Sequence, residues 1–128
     1  MTDQEFDPAH DTRIEIGGDV YWVRRPFDLI RRIEQAFGAL GELDQRLRRR
    51  GMTATELVQA YAIALKDQAS RPPDDEIGEY IADAGINAAT DQIAVLVMHL
   101  FAGNRVARQW LEAEAAKVRD GENPPPAV

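Results

Sequence analysis

The sequence predicts a mainly α-helical fold, in which an N-terminal β-hairpin packs on a bundle of about four or five helices. Three observations predict it. The stretch IEIGGDVYWVRR, residues 14–25, alternates apolar and polar residues around a glycine pair, as a two-stranded hairpin does. Beyond it, apolar residues recur at spacings of three and four, which is the period of a helix face. Glycine and proline residues divide that pattern into segments of helix length.

Composition limits the class of protein before any motif is considered. The 128 residues fit one domain, long enough to fold around a single core without disulfides. A formal net charge of −7 argues against non-specific binding to nucleic acid or to an anionic membrane. The chain has no cysteine, which excludes a disulfide scaffold and a thiolate zinc site. Its N-terminus lacks the basic start and apolar run of a signal peptide, so we expect a cytoplasmic protein.

Changes in composition along the chain predict three parts. Residues 1–11 are polar and are expected to form a flexible N-terminal arm. Residues 12–120 are expected to form a single helical domain with its N-terminal hairpin. Residues 121–128 contain three consecutive prolines and are expected to be a disordered tail.

The hairpin has two different faces. If the turn is Gly18-Asp19, with Gly17 opposite Val20, one face is apolar and is expected to pack on the helices: Ile14, Ile16, Tyr21 and Val23. The other face is mixed and carries Glu15, Val20, Trp22 and Arg24. Trp22 fits two roles equally, as a core residue or as an interface hot spot. A lone hairpin also leaves its strand edges open to pair with a second copy or with a strand from another chain. The mixed face is therefore the predicted protein-interaction site.

Helix signals follow in order. Pro26 opens the first helix, whose apolar stripe is interrupted near Gly38 and resumes as far as Gly51. The sequence TATE has the form of a capping box, with Thr53 as cap and Glu56 three residues later. The predicted core comprises Ile14, Ile16, Leu29, Ile33, Phe37, Leu57, Tyr61, Ile81, Ile93, Leu96 and Leu100.

In the second half of the chain, prolines and glycines predict where the helices begin and end. Pro72-Pro73 mark a loop, after which Asp74 or Asp75 is expected to cap a helix that ends at Gly85. The apolar stretch at residues 93–103 is far shorter than the ~20 residues that a membrane span needs. We interpret it as the central buried helix, ending at Gly103-Asn104, and expect a last helix with Trp110 mostly in the core.

Few residues have the types and spacings that catalysis or metal binding requires. Asp74, Asp75 and Glu76 could form a carboxylate cluster, but acidic residues at a helix start are better explained by the helix dipole. His10 and His99, the two histidines, have no partner at metal-ligand spacing, and His99 is interpreted as a core or partly exposed residue. We therefore predict no enzyme, no catalytic residue, no metal site and no cofactor.

A basic run, RLRRR at residues 46–50, is the one candidate for contact with nucleic acid. No aromatic residue interleaves with it, and arginines near a helix C-terminus interact favourably with the dipole. We interpret it as a solvated helix end.

Four stretches together resemble a known family. They are GGDVYWV at 17–23, RPFDLIRRIEQAFG at 25–38, LVQAYAIALKDQ at 57–68 and DDEIGEYIADAGINAA at 74–89. In this order they resemble the small tail proteins of gene transfer agents and tailed phages, commonly labelled gene transfer agent tail tube proteins. The likeness extends to tail assembly chaperones and covers about residues 13–101.

The resemblance implies a function in tail assembly. A tail assembly chaperone is implied to bind the tape measure protein and to keep its helical stretches soluble until the tail tube forms around it. Tail tube subunits are β-rich, so the helical pattern here favours the chaperone. A tail tube protein and a small peptide-binding adaptor domain remain as alternatives. No cofactor is implied, and self-association through the hairpin edge is expected.

Overall fold

The computed structural model describes residues 10–122, without the side chains of residues 107, 108, 111, 115 and 118–122. The chain forms an N-terminal antiparallel hairpin followed by helices, which confirms the predicted fold class. The elements are β1 (Asp11–Ile16), β2 (Asp19–Arg24), α1 (Phe27–Phe37), α2 (Leu40–Arg48), α3 (Ala54–Ala64), α4 (Asp74–Ala84) and α5 (Ile86–Glu122). The predicted flexible arm and disordered tail lie, apart from residues 10, 11, 121 and 122, outside the described residues.

The hairpin turn differs from the predicted one. Ile16 pairs with Asp19, so the turn residues are Gly17 and Gly18 rather than Gly18 and Asp19. Both glycines have positive φ angles, 60° and 91°, which a two-residue turn of the type I′ kind requires. The register therefore differs by two residues from the predicted one. Because side chains alternate with a period of two, the faces are unchanged.

Local sequence signals set most helix boundaries. Gly38, with φ of 84°, separates α1 from α2, and Gly85, with φ of 100°, ends α4. Thr53 and Glu56 form the predicted capping box at the start of α3. The expected cap at α4 is wrong, because Pro73 occupies the cap position and no side chain bonds there.

α5 has two segments that meet at Gly103, where φ is 82° and ψ is 161°. The helix packs against α2, α3, α4 and β1, and its first segment, residues 86–102, supplies Ile93, Leu96, Val97 and Leu100 to the core. It begins at Ile86, earlier than the predicted Asn87 or Thr90. Trp110, in the second segment, is 43% exposed, so its expected place in the core is wrong.

The core lies between the inner hairpin face and the helices. Of the predicted core residues, all but Phe37 are buried, and Phe37 packs partly buried against them. The centre of the core contains the fully buried side chains Ile14, Leu57, Tyr61, Leu65, Ile77 and Ala89.

Candidate protein-interaction surfaces

The outer face of the hairpin carries the four predicted interaction residues together. Arg13 and Trp22 are opposite each other, as are Glu15 and Val20. Val20 is 39% exposed, whereas the Trp22 side chain is half-buried in the isolated chain. The face is thus a mixed surface beside the turn, and its tryptophan is already partly covered by this chain.

One glutamine side chain binds each edge of the hairpin, Gln92 of α5 on β1 and Gln68, which follows α3, on β2. On β1, the Glu15 N–H donates to Gln92 Oε1 at 2.7 Å, and Gln92 Nε2 donates to the Glu15 carbonyl at 3.1 Å. On β2, Gln68 Nε2 donates to the Trp22 carbonyl at 3.0 Å. A strand added at either edge would have to displace a glutamine side chain. A partner can therefore reach the side chains of the outer hairpin face more easily than it can pair with the backbone at either edge.

Gln92 also reaches into the helix bundle. Its Nε2 lies 2.9 Å from the hydroxyl of Tyr61, which itself donates to the Ala89 carbonyl at 3.0 Å. Burial raises the pKa of Tyr61 above its ordinary value, so the phenol stays protonated and available as a donor. One amide thereby joins β1 to α3. The sequence contains no signal for this link, because a lone glutamine on an apolar helix has many possible partners.

A buried polar network joins the hairpin to α5. Arg25 is only 4% exposed, and its Nη1 donates to Thr12 Oγ1 at 2.8 Å and to His99 Nδ1 at 2.9 Å. Its Nε donates to Asn104 Oδ1 at 3.2 Å, next to the break at Gly103. Arg25, which lies between β2 and α1, therefore contacts both segments of α5.

His99 takes part in that network as a neutral ring. A guanidinium can only donate, so Nδ1 accepts and the ring proton lies on Nε2. Burial, and then the nearby Arg25 cation, lowers the pKa of His99. His99 is partly exposed, one of the two positions predicted for it, and its polar partners were not foreseen.

The basic run is largely neutralised by carboxylates. Arg46 pairs with Glu56 at 2.6 Å, Arg48 with Asp44 at 2.8 Å and Arg50 with Asp91 at 2.9 Å. The first pair links α2 to α3, the second lies within α2, and the third links the turn after α2 to α5. The interpretation as a helix end, rather than a nucleic-acid patch, agrees with this pairing.

Carboxylates cluster at a cleft between the hairpin turn and α4. The cleft has a volume of about 380 Å³, and Asp19, Glu76, Glu79 and Asp83 line it together with Tyr21 and other residues. Burial, followed by Asp19 and Glu76, raises the pKa of Tyr21. Over residues 10–122, no group of three or more histidine or acidic side chains is placed to hold a metal ion.

One face of the first segment of α5 is apolar and exposed. Val95, Met98 and Phe101 are 41%, 43% and 53% exposed, and Ala94 and Ala102 lie partly buried on the same side. The Phe101 ring lies beside α2 at Gly41. We call Val95, Met98 and Phe101 the α5 patch. Neighbouring large apolar residues left in solvent are typical of a protein–protein contact.

Residues Ile86–Val106 are also long and apolar enough to cross a membrane, by length and composition only. The same helix supplies Ile93, Leu96, Val97 and Leu100 to the core. Core helices of soluble proteins commonly pass that test, so it adds little to the choice of function.

Comparisons of the chain with protein-family models, with curated proteins and with solved structures returned no match.

Proposed function

We propose that this protein is a tail assembly chaperone that binds helical segments of a tape measure protein and keeps them soluble. The observation that carries the proposal is the α5 patch. Its three large side chains lie on one face of a helix whose opposite face is anchored in the core. An amphipathic partner helix would cover them with its own apolar stripe.

The rest of the described chain is compatible with a binding role. Its polar clusters are either structural, as around Arg25, or spread along a cleft without a nucleophile and base in contact. The helical character also favours a chaperone over a tail tube subunit, since tubes are built from sheets.

The test is co-expression with a tape measure protein of a gene transfer agent or tailed phage, taken from the genome that encodes this chain. We expect wild type to increase the soluble fraction of the tape measure protein and to co-purify with it. Met98→Glu places a charge in the α5 patch and is expected to weaken the complex by about tenfold or more, as at an interface hot spot. Ala36→Glu, an exposed change on α1, is the matched control and should bind like wild type.

Two outcomes would contradict the proposal at different levels. If folded Met98→Glu binds like wild type, the α5 patch is not the contact. If wild type neither binds nor solubilises the tape measure protein, the chaperone function itself is wrong. Circular dichroism of each variant establishes that the fold is intact.

A further inference from the structure

A groove separate from the α5 patch runs along the outer side of α3, with α4 as its second wall. Two adjoining cavities, of about 430 and 540 Å³, share Thr55, Val58 and Asp74 and so form one continuous depression. Its apolar part is made by partly buried side chains of α3: Val58, Ala62 and Ile63. The opposite wall belongs to α4. Gly78 has no side chain, so α4 does not project into the groove at that position.

The groove has the length of a short helix. Its α3 side is formed by Thr55, Val58, Gln59, Ala62 and Ile63, and Lys66 follows in the turn after α3. Eight residue steps separate Thr55 from Ile63, which at 1.5 Å per residue is about 12 Å, or just over two helical turns. That length matches one face of a helix of roughly 8–9 residues, whose apolar side chains would meet Val58, Ala62 and Ile63.

The two ends of the groove carry opposite charges. Lys66 lies at one end, and Asp75 and Glu79 lie at the other. Arg71 and Asp74, on the wall, are already paired with each other at 2.7 Å. Among residues 10–122, by contrast, Lys66, Asp75 and Glu79 take part in no salt bridge. The charge of Lys66 also helps to lower the pKa of the Asp28 carboxyl, so Lys66 is shared with α1, whereas Asp75 and Glu79 are fully available to a bound helix.

From this arrangement we infer that the groove docks one amphipathic helix of a partner protein, with an acidic residue near Lys66 and a basic residue near Asp75 and Glu79. The apolar floor would bury the small and aliphatic side chains of the partner helix. The end charges would fix where along the groove that helix sits, since complementary charges set register. The inference goes beyond the proposed function, because it holds whether or not the partner is a tape measure protein.

The probe is a blocked 15-residue helical peptide with a leucine–alanine stripe, two arginines at one end and two glutamates at the other. Amide chemical shifts of the full-length protein are followed during titration. We expect saturable shifts that centre on Val58, Ala62 and Gly78. Either no saturation up to about 1 mM peptide, or shifts centred on the α5 patch instead, would overturn the inference.

Charge exchange makes the test specific. Lys66→Glu and Glu79→Lys should each weaken binding by about 3- to 10-fold, because each replaces an attraction between exposed charges with a repulsion. In the double variant the charge at position 66 is reversed and the other end, where Asp75 remains, becomes neutral, so the same peptide can bind in the opposite direction without repulsion and affinity should recover toward the wild-type value. Losses that instead add in the double variant would refute the assignment of the two ends. Gln45→Lys, an exposed change on α2, is the control and should leave binding unchanged.

Discussion

Gln92 joins the hairpin to the helices, and Gln92→Ala is expected to lower the free energy of unfolding by about 1.5–3 kcal/mol. Three hydrogen bonds are lost: two to the backbone of Glu15, at 2.7 and 3.1 Å, and one to the Tyr61 hydroxyl at 2.9 Å. Each such bond contributes a net ~0.5–1.5 kcal/mol, or about 1.5–4.5 kcal/mol for three. The site is partly exposed, so water replaces some of the loss and the lower half of that range applies.

Urea denaturation followed by far-UV circular dichroism measures the change, and amide exchange at Glu15 shows where it acts. In Gln92→Ala the Glu15 amide should exchange faster, because its acceptor is gone. The control Gln45→Ala removes an exposed glutamine from α2 and should change stability by less than about 0.5 kcal/mol. A loss below about 0.5 kcal/mol for Gln92→Ala, or an unchanged Glu15 amide, would refute the link.

Two further predictions concern the α2–α3 junction and the hairpin. The hydrogen bond from Arg46, and then that from the Thr53 backbone, lowers the pKa of Glu56 from 4.5 to about 2. This contribution to stability is therefore present above pH 4.5 and lost as the pH falls toward about 2. Glu56→Gln should flatten that decline in urea denaturation across this pH range; identical declines in the two proteins would contradict the assignment. Trp22→Ala should weaken self-association or partner binding by ~2 kcal/mol or more if the outer hairpin face is an interface. Sedimentation over a range of concentrations measures it, with the exposed Phe27→Ala as control; unchanged association would remove Trp22 from the interface, and loss of folding would place it in the core.

The predicted interaction site was recoverable from the sequence only in part. Successive side chains of a strand point to opposite faces, and this alternation was enough to place Glu15, Val20, Trp22 and Arg24 on one face. The predicted strand register was wrong by two residues, which leaves the faces unchanged. The α5 patch was not foreseen, because an apolar run does not show which of its faces the fold leaves uncovered. The groove between α3 and α4 was not predicted either. Its walls belong to two helices, and the sequence does not show how those helices pack against each other.

By itself the sequence determined the order of elements, the break at Gly38, the capping box at Thr53 and most of the core. Those signals act within a few residues, through backbone conformation and the period of apolar side chains. Only the tertiary structure decided that Gln92 binds Glu15 across 77 positions and that Arg25 meets His99 across 74. Many polar side chains could have made such contacts. The packing of the apolar faces selects the partners, because it fixes which polar groups are brought together out of water.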